Sequence, residues 1–341
     1  MTDSPTTPPQ DPDGRRAADD SPVARGATTR ERCLTGHTEP VTAMATTSLP
    51  GRPVVVVSGS LDATVRVWDL ATGGPVGAPL TGHTGGVYAV ATAVVGGRPV
   101  AVGTGQDATV RVWDLATGRR TGGTSAGHSH PVWAVATAVV EGRPVAVTGC
   151  SDGGMRLWDL ATGEPVGPPL AGHPGGVYAV ATTVVAGRPV AVSGGGDNAV
   201  RVWDLAEGRQ TGPALTGHTG TVRAVTGLRG GGRSLAVTGG EDESARVWDL
   251  VAHRPVGPPV ENHDGWVLAL AATGHEHDPL VLGAGEDQYL HVWHPLTRHR
   301  TRRADGHRHK VRAVASADLH GRPVALTAGH DSTIRVHRLD A

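Results

Sequence analysis

The chain has 341 residues, of which 50 are glycine, 25 are proline and none is phenylalanine. So many glycines exclude a fold of long helices, because glycine inside a helix costs about 1 kcal/mol relative to alanine. The formal net charge of −1 gives no global field that would attract nucleic acid or a membrane surface. No apolar run is long enough for a membrane-spanning helix.

Residues 1–28 form an N-terminal tail of Asp, Pro, Ser, Thr and Ala with almost no apolar content. Such a segment cannot bury enough apolar surface to offset its conformational entropy, so we predict that it is disordered. A tether or a short recognition tail is the functional alternative. The tail also lacks the apolar run of a secretory signal, and we therefore expect a cytoplasmic protein.

Seven copies of one unit occupy residues 29–341. Each unit opens with a Gly-His pair, or with Asn-His in the sixth copy, and most copies end a strand-like run with Trp-Asp. The last two copies have Trp293-His294 and His337-Arg338 instead. The units begin near His37, His83, His128, His173, His218, His263 and His307. This constant register predicts a repeat architecture rather than the two domains that length alone suggests.

Each unit contains the pattern of four β-strands. In the second unit, residues 87–92, 99–103 and 109–115 are rich in valine and alanine, which predicts three strands covered on both faces. Proline begins the second strand in five units, where no ladder donor is lost. A short Pro-rich segment such as residues 165–170 can form only an edge strand, which makes the fourth.

These residues resemble the WD-repeat β-propeller family, whose signature is Gly-His and Trp-Asp in a unit of about 40–45 residues. The resemblance covers residues 29–341 and implies an all-β, seven-bladed β-propeller with four antiparallel strands per blade around a central channel. The seventh unit lacks its own fourth strand, and residues 32–34 match the segment before the second Gly-His. We therefore expect an N-terminal strand to complete the last blade and close the ring.

Most units also repeat a His, a Ser or Thr, an Asp and a Trp, which together look like a hydrolase set. Catalysis needs one such constellation rather than seven, and Gly103 and Gly283 replace the hydroxyl in two units. The resemblance implies a structural network instead, in which the Asp orients the His and the hydroxyl links it to the Trp. The predicted network residues are His37, Ser58, Asp62, Trp68, His83, Asp107, Trp113, His128, Thr148, Asp152, Trp158, His173, Ser193, Asp197, Trp203, His218, Thr238, Asp242, Trp248, His263, Asp287, Trp293, His307, Thr327 and Asp331.

The sequence shows no catalytic, cofactor-binding or metal-binding set. Its Gly-x-Gly fragments lie in inter-strand turns without a following helix, unlike phosphate-binding loops. The histidines within residues 275–277 and 307–309 have no third ligand at a recognised spacing, and we interpret them as loop histidines. Cys33 and Cys150 make no disulfide framework and no zinc motif, which is typical of small apolar residues in a reducing compartment.

Residues that differ between the units are where a partner could be recognised. In the resembled family, the start of the first strand and the residue before the turn Asp face the channel rim and contact partners. Trp, Tyr and Arg, which are enriched at binding hot spots, recur at these positions. The predicted partner-binding residues are Tyr88, Trp133, Tyr178, Arg223, Trp266, Lys310, Arg312, Gln106, Glu241, Glu286 and His330, with Leu61, Ser151 and Gly196 at the remaining positions before the turn Asp. As an alternative, Tyr88 and Tyr178 pack between blades.

One segment departs from the charge balance. Residues 298–312 contain six Arg, Lys310 and three His against the single acid Asp305. We interpret this segment as an edge strand protected by charge. Binding of an anion, such as an acidic protein, a phosphopeptide or RNA, is the alternative.

Together these features predict a monomeric, non-catalytic scaffold or sensing module that binds a protein or peptide on the rim face, with no cofactor, nucleic acid or membrane. The arginine bias and the similarity of units two to four resemble the actinobacterial-type propellers of GC-rich bacteria. Such propellers act in signalling or defence assemblies and are often fused to a kinase, protease or ATPase, so we expect an effector, if any, on a separate polypeptide. A propeller enzyme or lectin is the alternative, with Glu241 and Glu286 as the carboxylates at the rim positions.

Overall fold

A computed structural model describes residues 32–121, 125–261, 263–304 and 307–339. Within these ranges the chain forms seven antiparallel sheets, six of four strands and one of three. The sheets are the blades of a seven-bladed β-propeller, which confirms the predicted fold class. No helix of membrane-spanning length and apolarity occurs in these ranges. The predicted disorder of residues 1–28 concerns a segment outside the described residues.

The strands follow one another blade by blade. The first, β1 (Arg32–Thr35), belongs to the last blade. Blades 1 and 2 contain β2 (Val41–Leu49), β3 (Arg52–Ser60), β4 (Val65–Asp69), β5 (Val87–Val95), β6 (Arg98–Gly105), β7 (Thr109–Asp114) and β8 (Ser125–Ala126). Blades 3 and 4 contain β9 (Val132–Val140), β10 (Arg143–Cys150), β11 (Gly154–Asp159), β12 (Leu170–Ala171), β13 (Val177–Val185), β14 (Arg188–Gly195), β15 (Val200–Asp204) and β16 (Arg209–Gln210). Blades 5 to 7 contain β17 (Val222–Gly230), β18 (Arg233–Gly240), β19 (Ala245–Asp249), β20 (Arg254–Pro255), β21 (Val267–His275), β22 (Asp278–Gly285), β23 (Leu290–Trp293), β24 (Arg300–Ala304), β25 (Val311–Leu319), β26 (Arg322–Gly329) and β27 (Thr333–Arg338).

The fourth strand is shorter than predicted, and in blade 1 it is reduced to two isolated bridges, Val65 with Leu80 and Trp68 with Pro75. Blade 3 has the same pattern, with a bridge from Trp158 to Pro165 and the two-residue β12. The physical reason is proline, which cannot donate a ladder hydrogen bond and so interrupts pairing along this edge.

The hydrophobic core lies between neighbouring blades. Trp113 of blade 2 packs in one buried cluster with Val55 and Val57 of blade 1, and the other blades repeat this arrangement. Glycine on the second strand permits the close approach in four blades. At Gly149, for example, an added Cβ would lie 2.4 Å from Val177 of the next blade. Strands covered on both faces explain the continuous Val and Ala runs of the sequence.

A belt of hydroxyl groups also links the blades around the channel. Thr137 Oγ1 donates to the Thr92 carbonyl of the preceding blade at 2.8 Å, and Thr182 donates to the Thr137 carbonyl at 2.6 Å. The equivalent donors in other blades are Thr46, Thr92 and Ser316. Gly227 and Ala272 occupy this position in blades 5 and 6. They have no hydroxyl to donate, so the belt is interrupted there.

The N-terminal strand closes the ring, as predicted. β1 pairs antiparallel with β27, and Leu34 lies opposite Ile334. Leu34 is 1% exposed and packs in a cluster that joins blade 7 to blade 1 through Val41 and Trp68. The last sheet therefore has four strands and no open outer edge at β27.

Candidate functional site

A β-bulge aims one side chain of every blade at the mouth of the central channel. In blade 2 the pairing of β5 with β6 passes from Val87 directly to Ala89, which leaves Tyr88 without a partner. A bulge bends its strand and re-aims the extra residue. The residues at this position in the seven blades are Thr42, Tyr88, Trp133, Tyr178, Arg223, Leu268 and Arg312.

The seven bulged residues converge on one cavity. Together with Leu61 they line a space of about 290 Å³. An adjoining space of about 190 Å³ is lined by several of the same residues and by the small and aliphatic residues that follow on the first strands, such as Ala89, Ala134 and Ala179. A rigid ring with a concave mouth of this size suits the insertion of one side chain or a turn of a partner.

Three aromatic side chains form a ladder along one side of the mouth. Tyr88 and Trp133 stack with ring centroids 4.3 Å apart and an angle of 5° between their planes. Tyr178 follows, with its ring centroid 5.9 Å from that of Trp133. The guanidinium carbon of Arg223 lies 4.2 Å from the Tyr178 ring centroid, a cation–π contact that extends the ladder. The two tyrosines therefore pack against neighbouring blades and line the mouth at once.

The other side of the mouth is polar and mostly basic. Arg223 donates from Nη2 to Glu241 Oε1 at 2.6 Å. Arg312 donates from Nε to His330 Nε2 at 3.1 Å, so His330 accepts as a neutral ring. Burial, and then the charges of Arg312 and Lys310, lower the pKa of His330. Burial, and then the charge of Arg223, lower the pKa of Arg312.

The structure places five of the eleven predicted partner-binding residues in the lining of this cavity: Tyr88, Trp133, Tyr178, Arg223 and Arg312. Lys310, Glu241, Glu286 and His330 lie outside the lining. Trp266 is 38% exposed and lies outside the cavity lining, and Gln106 accepts a hydrogen bond from the Gly86 amide at 3.3 Å. Thr42 and Leu268 also line the cavity, although they are not among the predicted partner-binding residues. The repeat register marks both positions, but a search for aromatic and charged side chains leaves them out. Partner binding by the predicted residues stays a prediction.

The repeated polar residues form a hydrogen-bond network within each blade. In blade 1, His37 lies 2.8 Å from Asp62 through Nδ1 and 2.8 Å from Ser58 Oγ through Nε2. Trp68 donates from Nε1 to the same Ser58 Oγ at 2.8 Å. Blades 4 and 5 repeat this pattern through His173, Ser193, Asp197, Trp203, His218, Thr238, Asp242 and Trp248.

The network lowers the pKa of several of its histidines and of its aspartates. Burial lowers the pKa of His37 and His173 by more than their aspartate partners raise it. Burial by itself raises the pKa of Asp242, but the hydrogen bond and charge of His218 outweigh it and lower the pKa to about 2. These polar groups are satisfied by one another, which is a structural arrangement.

Four blades depart from the common pattern. In blade 2, where Gly103 replaces the hydroxyl, Trp113 donates to the Thr81 carbonyl instead at 3.2 Å. In blade 3, His128 and Trp158 both bond Thr148, but no hydrogen bond joins His128 to Asp152 within the described residues. The expected Asp–His hydrogen bond is therefore wrong for blade 3, although Asp152 still accepts a hydrogen bond from the Gly154 amide at 2.8 Å, as Asp62 does from Thr64.

Blades 6 and 7 carry histidine substitutions inside the network. In blade 6, His291 replaces the arginine of other blades and lies 2.7 Å from Asp287, while His263 is 3.4 Å from the same carboxylate. Trp293 Nε1 finds no partner in the described part of the chain, because Gly283 supplies no hydroxyl. In blade 7, His307 bonds Asp331 at 2.9 Å and Thr327 at 2.8 Å, and His337 replaces the Trp beside Thr327.

Two clusters in the described residues bring three possible metal ligands within 4.8 Å of one another: His128 with Cys150 and Asp152, and His263 with Asp287 and His291. The sequence spacing does not predict the cluster that contains Cys150. This cluster forms because β9 pairs antiparallel with β10, which brings the start of β9 beside the end of β10. Burial raises the pKa of the Cys150 thiol, which disfavours the thiolate that a metal needs. Both cysteines are free, with Cys150 buried and Cys33 exposed on β1.

The basic segment 298–312 is divided by the fold. Arg298 and Arg302 donate to backbone carbonyls of neighbouring blades, at Pro258 and Arg338. Arg303 lies over the Tyr289 ring at 3.5 Å on the outer edge of blade 6. Arg312 faces the channel mouth instead. These charges therefore do not form one continuous surface of the kind that RNA binding requires.

Comparisons with known proteins agree with the architecture. A family model described as WD domain, G-beta repeat matches residues 28–69, 74–114, 120–159, 163–204 and 210–249, together more than half of the chain. The five matched segments end at the Trp-Asp pairs, and the two units that lack this pair are outside the matches. No curated protein matches the chain significantly.

Proposed function

We propose an interaction function for this chain on the premise that it belongs to the WD-repeat family, whose propellers generally mediate contacts between proteins and are typically non-catalytic. The chain binds a protein or peptide partner at the channel mouth and acts as a scaffold or sensing module without catalysis. One observation carries this proposal: the bulged aromatic ladder of Tyr88, Trp133 and Tyr178 faces one cavity. Rigid aromatic side chains around a concave site are the usual anchors of protein interfaces.

The geometry gives less support to an enzyme or lectin. Such a protein would need free acids or metal ligands that converge at the mouth. Glu241 is paired with Arg223, and Glu286 Oε1 lies 3.8 Å from Lys310 Nζ. Both carboxylates therefore serve to balance cations.

The proposal also includes the cellular setting of the protein. We propose that the protein acts in the cytoplasm of a GC-rich bacterium, as a monomer in a signalling or defence assembly. Two free cysteines, one of them exposed, support a reducing compartment. The arginine-rich composition supports the bacterial origin.

The test compares two triple variants in partner capture followed by mass spectrometry. Trp133→Ala, Tyr178→Ala and Arg223→Ala together remove the ladder, and we expect the loss of the captured partner at an unchanged fold. Val94→Ala, Val139→Ala and Val184→Ala form the matched control, because these exposed valines lie at the opposite ends of the first strands of blades 2 to 4. Retention of the partner by a folded ladder variant would contradict the proposal.

A further inference from the structure

We infer that the channel mouth receives a negatively charged side chain of the bound partner, with its carboxylate or phosphate oxygens beside the guanidinium groups of Arg223 and Arg312. This inference rests on the proposed function and names the chemistry that the mouth selects. Three observations support it. The mouth carries more cations than anions, and Arg312 has no carboxylate at ion-pair distance within the described residues. Neighbouring side chains also cover faces of the aromatic rings.

The mouth carries more positive than negative charge. Arg223, Arg312 and Lys310 bring three cations to the rim positions, and Glu241 and Glu286 bring two anions. Glu241 is committed to Arg223 through two hydrogen bonds of 2.8 and 2.6 Å, and Glu286 lies 3.8 Å from Lys310. Arg312 is therefore the cation with no carboxylate at ion-pair distance within the described residues, although the charge of Glu286 also acts on it and by itself raises its pKa.

Arg312 is a partly buried guanidinium that lines the cavity. Within the described residues no carboxylate lies at ion-pair distance from it, and its Nε donates a hydrogen bond to neutral His330. Its two terminal nitrogens remain for a ligand. A half-buried cation costs desolvation energy, and an anion with bidentate oxygens offsets that cost well.

The aromatic ladder does not form a cage for a cation. The rings of Tyr88 and Trp133 stack face to face with their centroids 4.3 Å apart. The guanidinium carbon of Arg223 covers one face of the Tyr178 ring, 4.2 Å from its centroid. A cationic side chain in the cavity would also face the two arginines that line it. The ladder instead offers an apolar wall against which the methylene groups of an acidic or phosphorylated side chain can pack.

The experiment measures the binding of fluorescent short peptides of degenerate sequence whose central residue is held as Glu, phosphoserine, Gln or Lys. We expect the full chain to bind the Glu or phosphoserine set about tenfold or more tightly than the Gln set, and the Lys set most weakly. Added salt should reduce the preference. Tighter binding of the phosphoserine set than of the Glu set would identify phosphate as the preferred ligand group. Tighter binding of the Glu set would identify carboxylate.

Two arginine variants connect this preference to the mouth. Arg312→Gln should reduce the difference between the Glu and Gln sets to about twofold or less, since the charged hydrogen bonds are lost. Arg223→Gln is a second variant in case the first does not fold. Arg308→Gln is the matched control, because Arg308 is an exposed cation four residues before Arg312, and it should keep the preference.

The possible results distinguish a failure of the anion inference from a failure of the proposed function. Equal binding of the Glu and Gln sets that is lost in Trp133→Ala overturns the anion inference and leaves the proposed function standing. A charge preference that persists in both Arg312→Gln and Arg223→Gln overturns the inference as well. Binding that Trp133→Ala does not change, or no binding of any set, overturns the proposed peptide site at the mouth and the inference with it.

Discussion

Single residues decide how each blade completes its polar network. His294 stands where five blades have the Asp of Trp-Asp, and its Nδ1 accepts hydrogen bonds from the amides of Leu296 and Thr297 at 3.2 Å. Asp69 Oδ1 accepts the equivalent pair of bonds in blade 1. The sequence shows only that the motif departs from the pattern in the sixth unit. The structure shows that a different acceptor caps the same turn.

His337 makes the protein sensitive to acid. Burial, and then the charge of His307, lower the pKa of His337 to about 4, so the unfolded chain takes up the proton first as the pH falls. Its contribution to stability is therefore present above about pH 6.5 and is lost on the way to about pH 4. We expect His337→Gln to reduce the loss of unfolding free energy between pH 7 and pH 5 by about 2 kcal/mol.

The measurement is denaturant unfolding of both proteins at the two pH values. The exposed His277→Gln is the control and should lose as much stability as the wild type. An identical pH dependence of the wild type and His337→Gln would show that His337 does not titrate in this range.

Among the elements, the first strand of each blade carries both the mouth and the belt. Its bulge presents residues such as Tyr88 to the cavity, and a hydroxyl four residues later on the same strand, such as Thr92, bonds the preceding blade. The Val-Ala-Thr pattern predicts the strand, but an alternating pattern does not show a bulge. A bulge depends on the two-to-one pairing with the second strand, which only the sheet reveals.

The belt predicts a measurable link between blades. Thr137→Val keeps the shape of the side chain but removes the 2.8 Å hydrogen bond to the Thr92 carbonyl. We expect a loss of about 1 kcal/mol in the free energy of unfolding, the usual net value of one such bond. Thr47→Val is the control, since no hydrogen bond from its side chain occurs within the described residues. Equal stability of the two variants would mean that the belt contributes nothing.

At the scale of the whole molecule, stability depends on closing the ring. β1 is the fourth strand of blade 7, and Leu34 joins the cluster between blades 7 and 1. A propeller without this strand would expose the edge of β27 and open the apolar contact at Trp68.

Deletion of residues 29–35 should therefore lower the free energy of unfolding by on the order of 4 kcal/mol, from the lost burial of Leu34 and the lost ladder. Deletion of residues 1–26 is the matched truncation and should leave the denaturation midpoint unchanged. Equal midpoints for the two truncated proteins would refute the role of β1 in stability.

The sequence by itself determined the number of blades and the first three strands of each, because a register kept through seven copies leaves little freedom in how each unit folds. It also located Tyr88, Trp133 and Arg223 as residues that differ between otherwise similar units. The tertiary structure alone decided that the bulged residues share one cavity, that Trp266 lies outside it and that segment 298–312 is divided. Those relations join different blades across the ring, and a repeat pattern describes each unit without the distances between units.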